Sequence, residues 1–144
     1  MARIAWIVPS REVFNDENGH LLIGSPFTQL TFNGLPSSGD FSISFGVIGI
    51  NFTEKNTAYL EIGYENIEKD IKEILIEAEV PIEIVPDNEI VETDENGLTQ
   101  KVFSITINDF DFKICGIYYV RINIDGNVQT NYFQISNTGG YKNE

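Results

Sequence analysis

The sequence predicts an all-β fold, a two-sheet antiparallel β-sandwich of about eight strands, and three observations carry that expectation. Ile, Val, Thr, Phe, Tyr and Trp supply 56 of the 144 residues, against 12 for Ala, Leu and Met together, and β-branched and aromatic side chains suit a pleated, half-buried surface. Several segments alternate apolar and polar residues with a period of two, the mark of a strand with one covered face. Turn residues separate these segments at near-regular spacing, which favours a sandwich of short strands over a closed barrel.

Taken in order, Ile4 to Val8 is apolar throughout, as expected of a central strand covered on both faces, with Pro9 expected to end it because proline cannot donate to a ladder. Val13-Phe14 and Leu21-Leu22-Ile23 flank a turn whose Asn18-Gly19 supplies the positive φ of a tight hairpin. Phe27 to Phe32 makes a third strand, and Asn33 to Asp40, with Gly34, Pro36 and Gly39, reads as a loop. Phe41, Ile43, Phe45 and Val47 then alternate with Ser42, Ser44 and Gly46, a half-buried strand. Ala58, Leu60, Ile62 and Tyr64 repeat that pattern after a turn at Thr53 to Thr57, as do Phe103, Ile105 and Ile107. Tyr118, Val120, Ile122 and Ile124 are joined through Asp125-Gly126-Asn127 to a strand carrying Tyr132, Phe133 and Ile135, and Asp-Gly is a hairpin signal. Trp6, Phe45, Leu60, Ile105, Tyr118, Val120, Ile122 and Phe133 are the expected core.

Between Ile67 and Val85 two periods compete. Ile67, Ile71, Ile74, Leu75 and Ala78 fit one helical face, spanning Asn66 to Ala78, whereas Ile74, Ile76, Ala78, Val80, Ile82 and Ile84 alternate as a strand does. Six alternations outweigh five helical matches, so a strand from about Glu73 to Val80 is favoured, with Pro81 marking an edge strand or a bulge. Residues 1–136 are expected to form one domain, and 137–144, with Gly139-Gly140, a fraying tail.

Specific residues point to a family. Ala2 to Val8, the hairpin from Phe14 to Gly24 and the loop at Leu35-Pro36 open the chain. Near its end Phe110-Asp111-Phe112 precedes Gly116-Ile117-Tyr118, Ile122-Asn123-Ile124-Asp125-Gly126 and Phe133-Gln134-Ile135. Residues 2–136 thereby resemble a family of small uncharacterised bacterial proteins with an immunoglobulin-like, C2-like β-sandwich. The resemblance implies a fold but no activity. In immunoglobulin-like sandwiches a Gly-x-Tyr of this kind ties its hydroxyl back to nearby backbone; Cys115 stands where the family has Pro.

Charge is the feature that points outward. Thirteen of the 22 acidic residues lie between Glu61 and Glu95, against only Lys69 and Lys72, so this quarter of the chain holds −11 of the net −13. A one-sided negative surface steers basic partners. The expected function is therefore a non-catalytic interaction module, an adaptor or accessory subunit, presenting a basic protein surface with Glu61, Glu65, Glu68, Asp70, Glu73, Glu77, Glu79 and Glu83. Strand alternation is expected to gather Glu73, Glu77 and Glu79 on one solvent face. Two alternatives stay open: an acidic inhibitor that mimics nucleic acid on a defence or DNA-processing enzyme, and a calcium-dependent C2-like module. Direct nucleic-acid binding is disfavoured because six Lys and three Arg are scattered.

No enzyme is expected. His20, the sole histidine, sits beside an Asn-Gly turn as a solvated residue, and Cys115, between Ile114 and Gly116, is expected to be a buried, inert thiol. Asp109 and Asp111 read as solvent carboxylates between core residues Phe110 and Phe112. Glu92 to Gly97 approaches an EF-hand loop but begins with Glu and has Phe103 where the bidentate Glu belongs; its Asp-Glu-Asn-Gly repeats that of residues 16–19, which favours turn chemistry. No cofactor or metal is expected. Met-Ala-Arg leads directly into a run too short to span a bilayer, with no secretory signal, so a cytoplasmic location and no membrane contact are expected. Twenty-one Ile against 7 Leu, with 14 Asn and 3 Arg, also suit a low-GC bacterial or phage genome.

Overall fold

The computed structural model describes residues 2–51, 56–66, 71–82 and 98–138. These form nine strands, β1 (Arg3–Asn15), β2 (Leu21–Pro26), β3 (Gln29–Phe32), β4 (Ser37–Asn51), β5 (Asn56–Asn66), β6 (Ile71–Ile82), β7 (Leu98–Phe112), β8 (Gly116–Ile124) and β9 (Asn127–Asn137). One sheet has the order β2-β1-β4-β7 and the other β3-β9-β8-β5-β6. The first is antiparallel throughout, but β3 pairs with β9 in parallel, so the second sheet is mixed rather than antiparallel.

The inner faces share one core. Ile7, Phe41, Ile43 and Phe45 from the first sheet meet Leu60, Ile62, Tyr118, Val120, Ile122 and Phe133 from the second. Aromatic edges lock the layers, with Phe41 5.9 Å from Phe133 and Phe112 5.7 Å from Tyr118 between ring centroids. Of the expected core, Ile105 is only half-buried, at the margin on β7. Trp6 faces outward instead: β1 shifts register between Ile4 and Trp6, so Ile4 and Ile7 point inward and the indole lies over Gly46, where any Cβ would approach within 2.6 Å. At that irregularity Asn127 Oδ1 accepts the Ile4 N–H at 2.9 Å, and Asn131 Nδ2 donates to the Ile7 carbonyl at 2.7 Å. Two β9 side chains thus supply partners to β1 backbone near the shift.

Three boundaries depart from expectation. Pro9 does not end β1, because its carbonyl accepts the Phe27 N–H at 3.1 Å; its missing donor therefore faces the end of β2 and not the β4 ladder. Ser37 to Gly39, expected in a loop, already pair with β7, and Ser42 and Ser44, expected outward, are buried on β4, which is flanked on both sides. Asn137, expected in the tail, belongs to β9 and accepts the Gly34 N–H at 3.0 Å, and the Thr138 N–H reaches the Phe32 carbonyl at 2.9 Å. Of the expected turn at Thr53 to Thr57, Asn56 and Thr57 already belong to β5, pairing with Ile82 and Pro81, and 53–55 lie outside the described residues, as do 1, 52, 67–70, 83–97 and 139–144.

Of the disputed segment, Ile71–Ile82 is a strand. β6 pairs antiparallel with β5 and, among the described residues, ends the second sheet, an edge position where Pro81 is tolerated.

Candidate functional site

The outer face of β5 is set by alternation: Ala58, Leu60 and Ile62 enter the core, so Tyr59, Glu61, Gly63 and Glu65 look away from it. Register then fixes their neighbours. On one side Tyr59 meets Glu79, Glu61 meets Glu77 and Glu65 meets Lys72; on the other, Tyr59 meets Asn123 and Glu61 meets Arg121.

Glu61 is engaged within the chain. Its Oε2 accepts the Tyr119 hydroxyl at 2.6 Å and lies 3.5 Å from Arg121 Nη1. Tyr119 lies over Gly63, with Lys72 Nζ 4.9 Å and the Arg121 guanidinium 5.3 Å from its ring centroid. Nothing of this ring reaches solvent. Burial first, then the bond to Glu61 and its charge, pushes the Tyr119 hydroxyl up to about 12.

Glu77 and Glu79 differ. Both are exposed, and among the described residues neither has a cation within ion-pair distance. Glu77 also stands directly across from Glu61, an unfavourable like-charge pairing. With Tyr59, which is 53% exposed, they line a groove of about 550 Å³ whose remaining wall is Leu60, Glu61, Ala78, Arg121 and Asn123.

Glu73 does not join that face. Ile62 pairs with Ile76 and Gly63 with Ile74, so Leu75 is an extra residue and the alternation slips by one. Ile74 turns outward beside Gly63, 51% exposed, and Glu73 sits across from Tyr64. Expected to share a solvent face with Glu77 and Glu79, Glu73 instead lines a cleft of about 520 Å³ between the sheets, with Tyr64, Leu75, Ile76, Ile107, Phe110, Ile114 and Tyr118. Glu68, Asp70 and Glu83 lie outside the described residues.

A second irregularity shapes the cleft's far wall. Asp109 takes φ 54° and donates its N–H to Asp40 Oδ1 at 2.8 Å, moving the inward row of β7 from Ile105 and Ile107 to Phe110 and Phe112. Asp109 and Asp111 are exposed. Beside them the Tyr118 hydroxyl donates to the Ile114 carbonyl at 2.7 Å, and burial pushes its pKa up. Cys115, expected buried, is exposed, because Lys113 to Cys115 links a strand of one sheet to a strand of the other where neither layer covers it.

His20 Nδ1 lies 3.4 Å from Asp16 Oδ2 at the β1–β2 turn. Asp16 Oδ1 accepts the N–H groups of Asn18 and His20, and these bonds, the one from His20 above all, hold its carboxyl below the usual range. That carboxylate closes a turn. The matching turn at 94–97 lies outside the described residues, among which no three His, Cys, Asp or Glu side chains gather to hold a metal ion and no helix is long and apolar enough to cross a membrane.

Tyr59, Arg121 and Asn123 were not anticipated in this surface. Their signal was the alternation itself, since each occupies the polar phase of a strand whose other phase is core. Leu75 and Ile114, in the cleft, had no such signal.

No protein-family model and no curated protein matches the chain. Among solved structures, the alkylpurine DNA glycosylase AlkC of Pseudomonas fluorescens, bound to DNA containing an abasic site analogue, is similar over 94% of this chain and 30% of that one, with a TM-score of 0.50 and 9% identity. A β-glucosidase of Listeria innocua is similar over 76% of this chain and 14% of that one in its gluconolactone complex, with TM-score 0.46 and 8% identity. In its glucose complex the figures are 94%, 16%, 0.44 and 7%. The chain thus spans less than a third of each protein, and the likeness to the glycosylase is one of fold.

Proposed function

We propose that this chain is a non-catalytic interaction module, an adaptor or accessory subunit, that engages a basic protein surface through the outer face of β5 and β6. One observation carries the reading: Glu77 and Glu79 stand exposed beside Tyr59 in a groove, with no cation within ion-pair distance among the described residues, the groove's Arg121 being engaged by Glu61. Two carboxylates beside a phenol ring suit a Lys or Arg side chain, which gains charge pairing and a cation–π contact together. Glu61 supports this site from within, and Glu65 stands beside Lys72. In fold type the chain is read as immunoglobulin-like or C2-like, supported by the Tyr118 hydroxyl tied back to Ile114 in the manner of a tyrosine corner.

Affinity purification from the source cells with the wild-type chain and with Glu77→Lys/Glu79→Lys tests the reading. The expected result is a partner retained by the first and lost by the second, with an association rate that falls steeply as salt rises. A partner whose on-rate ignores both the reversal and the salt would move the binding surface elsewhere.

A further inference from the structure

We infer that the edge of β6 receives a strand from a partner protein, and that the donated segment alternates apolar with basic side chains. This rests on the interaction reading above and adds the form of the ligand. Among the described residues the second sheet ends at β6, so every second residue of β6 aims its N–H and C=O away from β5. Two irregularities bound the usable stretch: the extra residue Leu75 on one side, and on the other Pro81, which has no N–H.

Between them the pattern is regular. Ile76, Ala78 and Val80 are half-buried toward the core, and Glu77 and Glu79 are exposed. Across the gap β7, the edge of the other sheet, contributes Phe103, Ile105 and Ile107, also half-buried. Among the described residues, the core is thus incompletely covered along the flank where both sheets end. An added strand would lay alternate side chains over this apolar flank, the one nearest Leu75 reaching the cleft of about 520 Å³. Its other side chains would come beside Glu77 and Glu79, where opposite charge favours cross-strand pairing and like charge opposes it. Charge complementarity therefore selects Lys or Arg at those positions.

Isotope-labelled protein is titrated with an end-blocked peptide of about seven residues, the length of a short strand, alternating Lys and Val. A scrambled peptide of the same composition and an alternating Glu and Val peptide are run beside it. Resonance shifts are expected at Ile76 to Val80 and Phe103 to Ile107, with slowed amide exchange along β6. Binding should exceed that of either control by at least about tenfold and weaken by a similar factor in Glu77→Lys/Glu79→Lys. Equal binding by the Lys peptide and its scramble, with shifts confined to Tyr59, Glu77 and Glu79 and no slowed exchange, would overturn strand addition while leaving the acidic face standing. Binding by none of the three would overturn both.

Discussion

A methyl group at Gly63 would lie 2.5 Å from both the Glu73 carbonyl and the Tyr119 hydroxyl. The carbonyl is strand backbone, and the hydroxyl belongs to a buried ring held by Glu61, so neither yields readily. Gly63→Ala is therefore expected to cost about 1–3 kcal/mol, the range for an overpacked site, measured as a lowered urea midpoint. The phenol itself carries a pH signature. Its pKa rises from 10.0 in the unfolded chain to about 12 in the folded one, so on alkaline titration the unfolded chain loses this proton first. The stabilisation is fully present below about pH 10 and is lost as pH climbs through the folded value. Urea midpoints at pH 9 and pH 11 should differ less in Tyr119→Phe than in the wild type; an unchanged difference would detach the alkaline loss from this residue.

At the level of strands, period-two reading located most elements and failed where the count slips. Ile74, Ile76, Ala78 and Val80 look uninterrupted in sequence, yet Leu75 is an extra residue and Glu73 arrives on the opposite side from Glu77. Nothing local in the sequence marks that irregularity, because it is set by pairing with β5. The slip at Asn108-Asp109 was in principle legible: inward residues pass from Ile105 and Ile107 to Phe110 and Phe112, a change of parity, and Asp tolerates the positive φ it adopts. Glu61 escaped for another reason, since its engagement depends on Tyr119 and Arg121 far along the chain. The β8–β9 hairpin was plain from Asp125-Gly126, whose φ values are 51° and 84°, and Asn123 Oδ1 accepts the Gly126 N–H at 3.0 Å. Gly126→Ala places a Cβ in the left-handed region and is expected to cost about 1–2 kcal/mol, measured by thermal melting; an unaltered melting temperature would mean the turn relaxes freely.

For the whole molecule the dominant quantity is a net charge of −13 on 144 residues, which destabilises the compact state by self-repulsion. Sodium chloride raised to about 0.5 M shortens the reach of that repulsion well below 10 Å. It should therefore raise the melting temperature, and less so in Glu77→Lys/Glu79→Lys, which replaces two negative charges with two positive ones. A melting temperature indifferent to salt would show the charges already compensated by their surroundings.

The parallel pairing of β3 with β9 joins residues 29–32 to 134–137, and two β9 asparagines complete the backbone of β1. On the ribosome, then, β1 and β3 wait for β9. The β1–β2 hairpin has its ladder within reach at once, but β3 lacks its partner until β9 has been synthesised and has left the exit tunnel. Contacts this distant in sequence slow folding and prolong the exposure of apolar strands during synthesis. A chain truncated before Asn127 would leave β3 without its neighbour and the Ile7 carbonyl without its donor, so quality control would meet premature products as unfolded chains rather than as smaller domains.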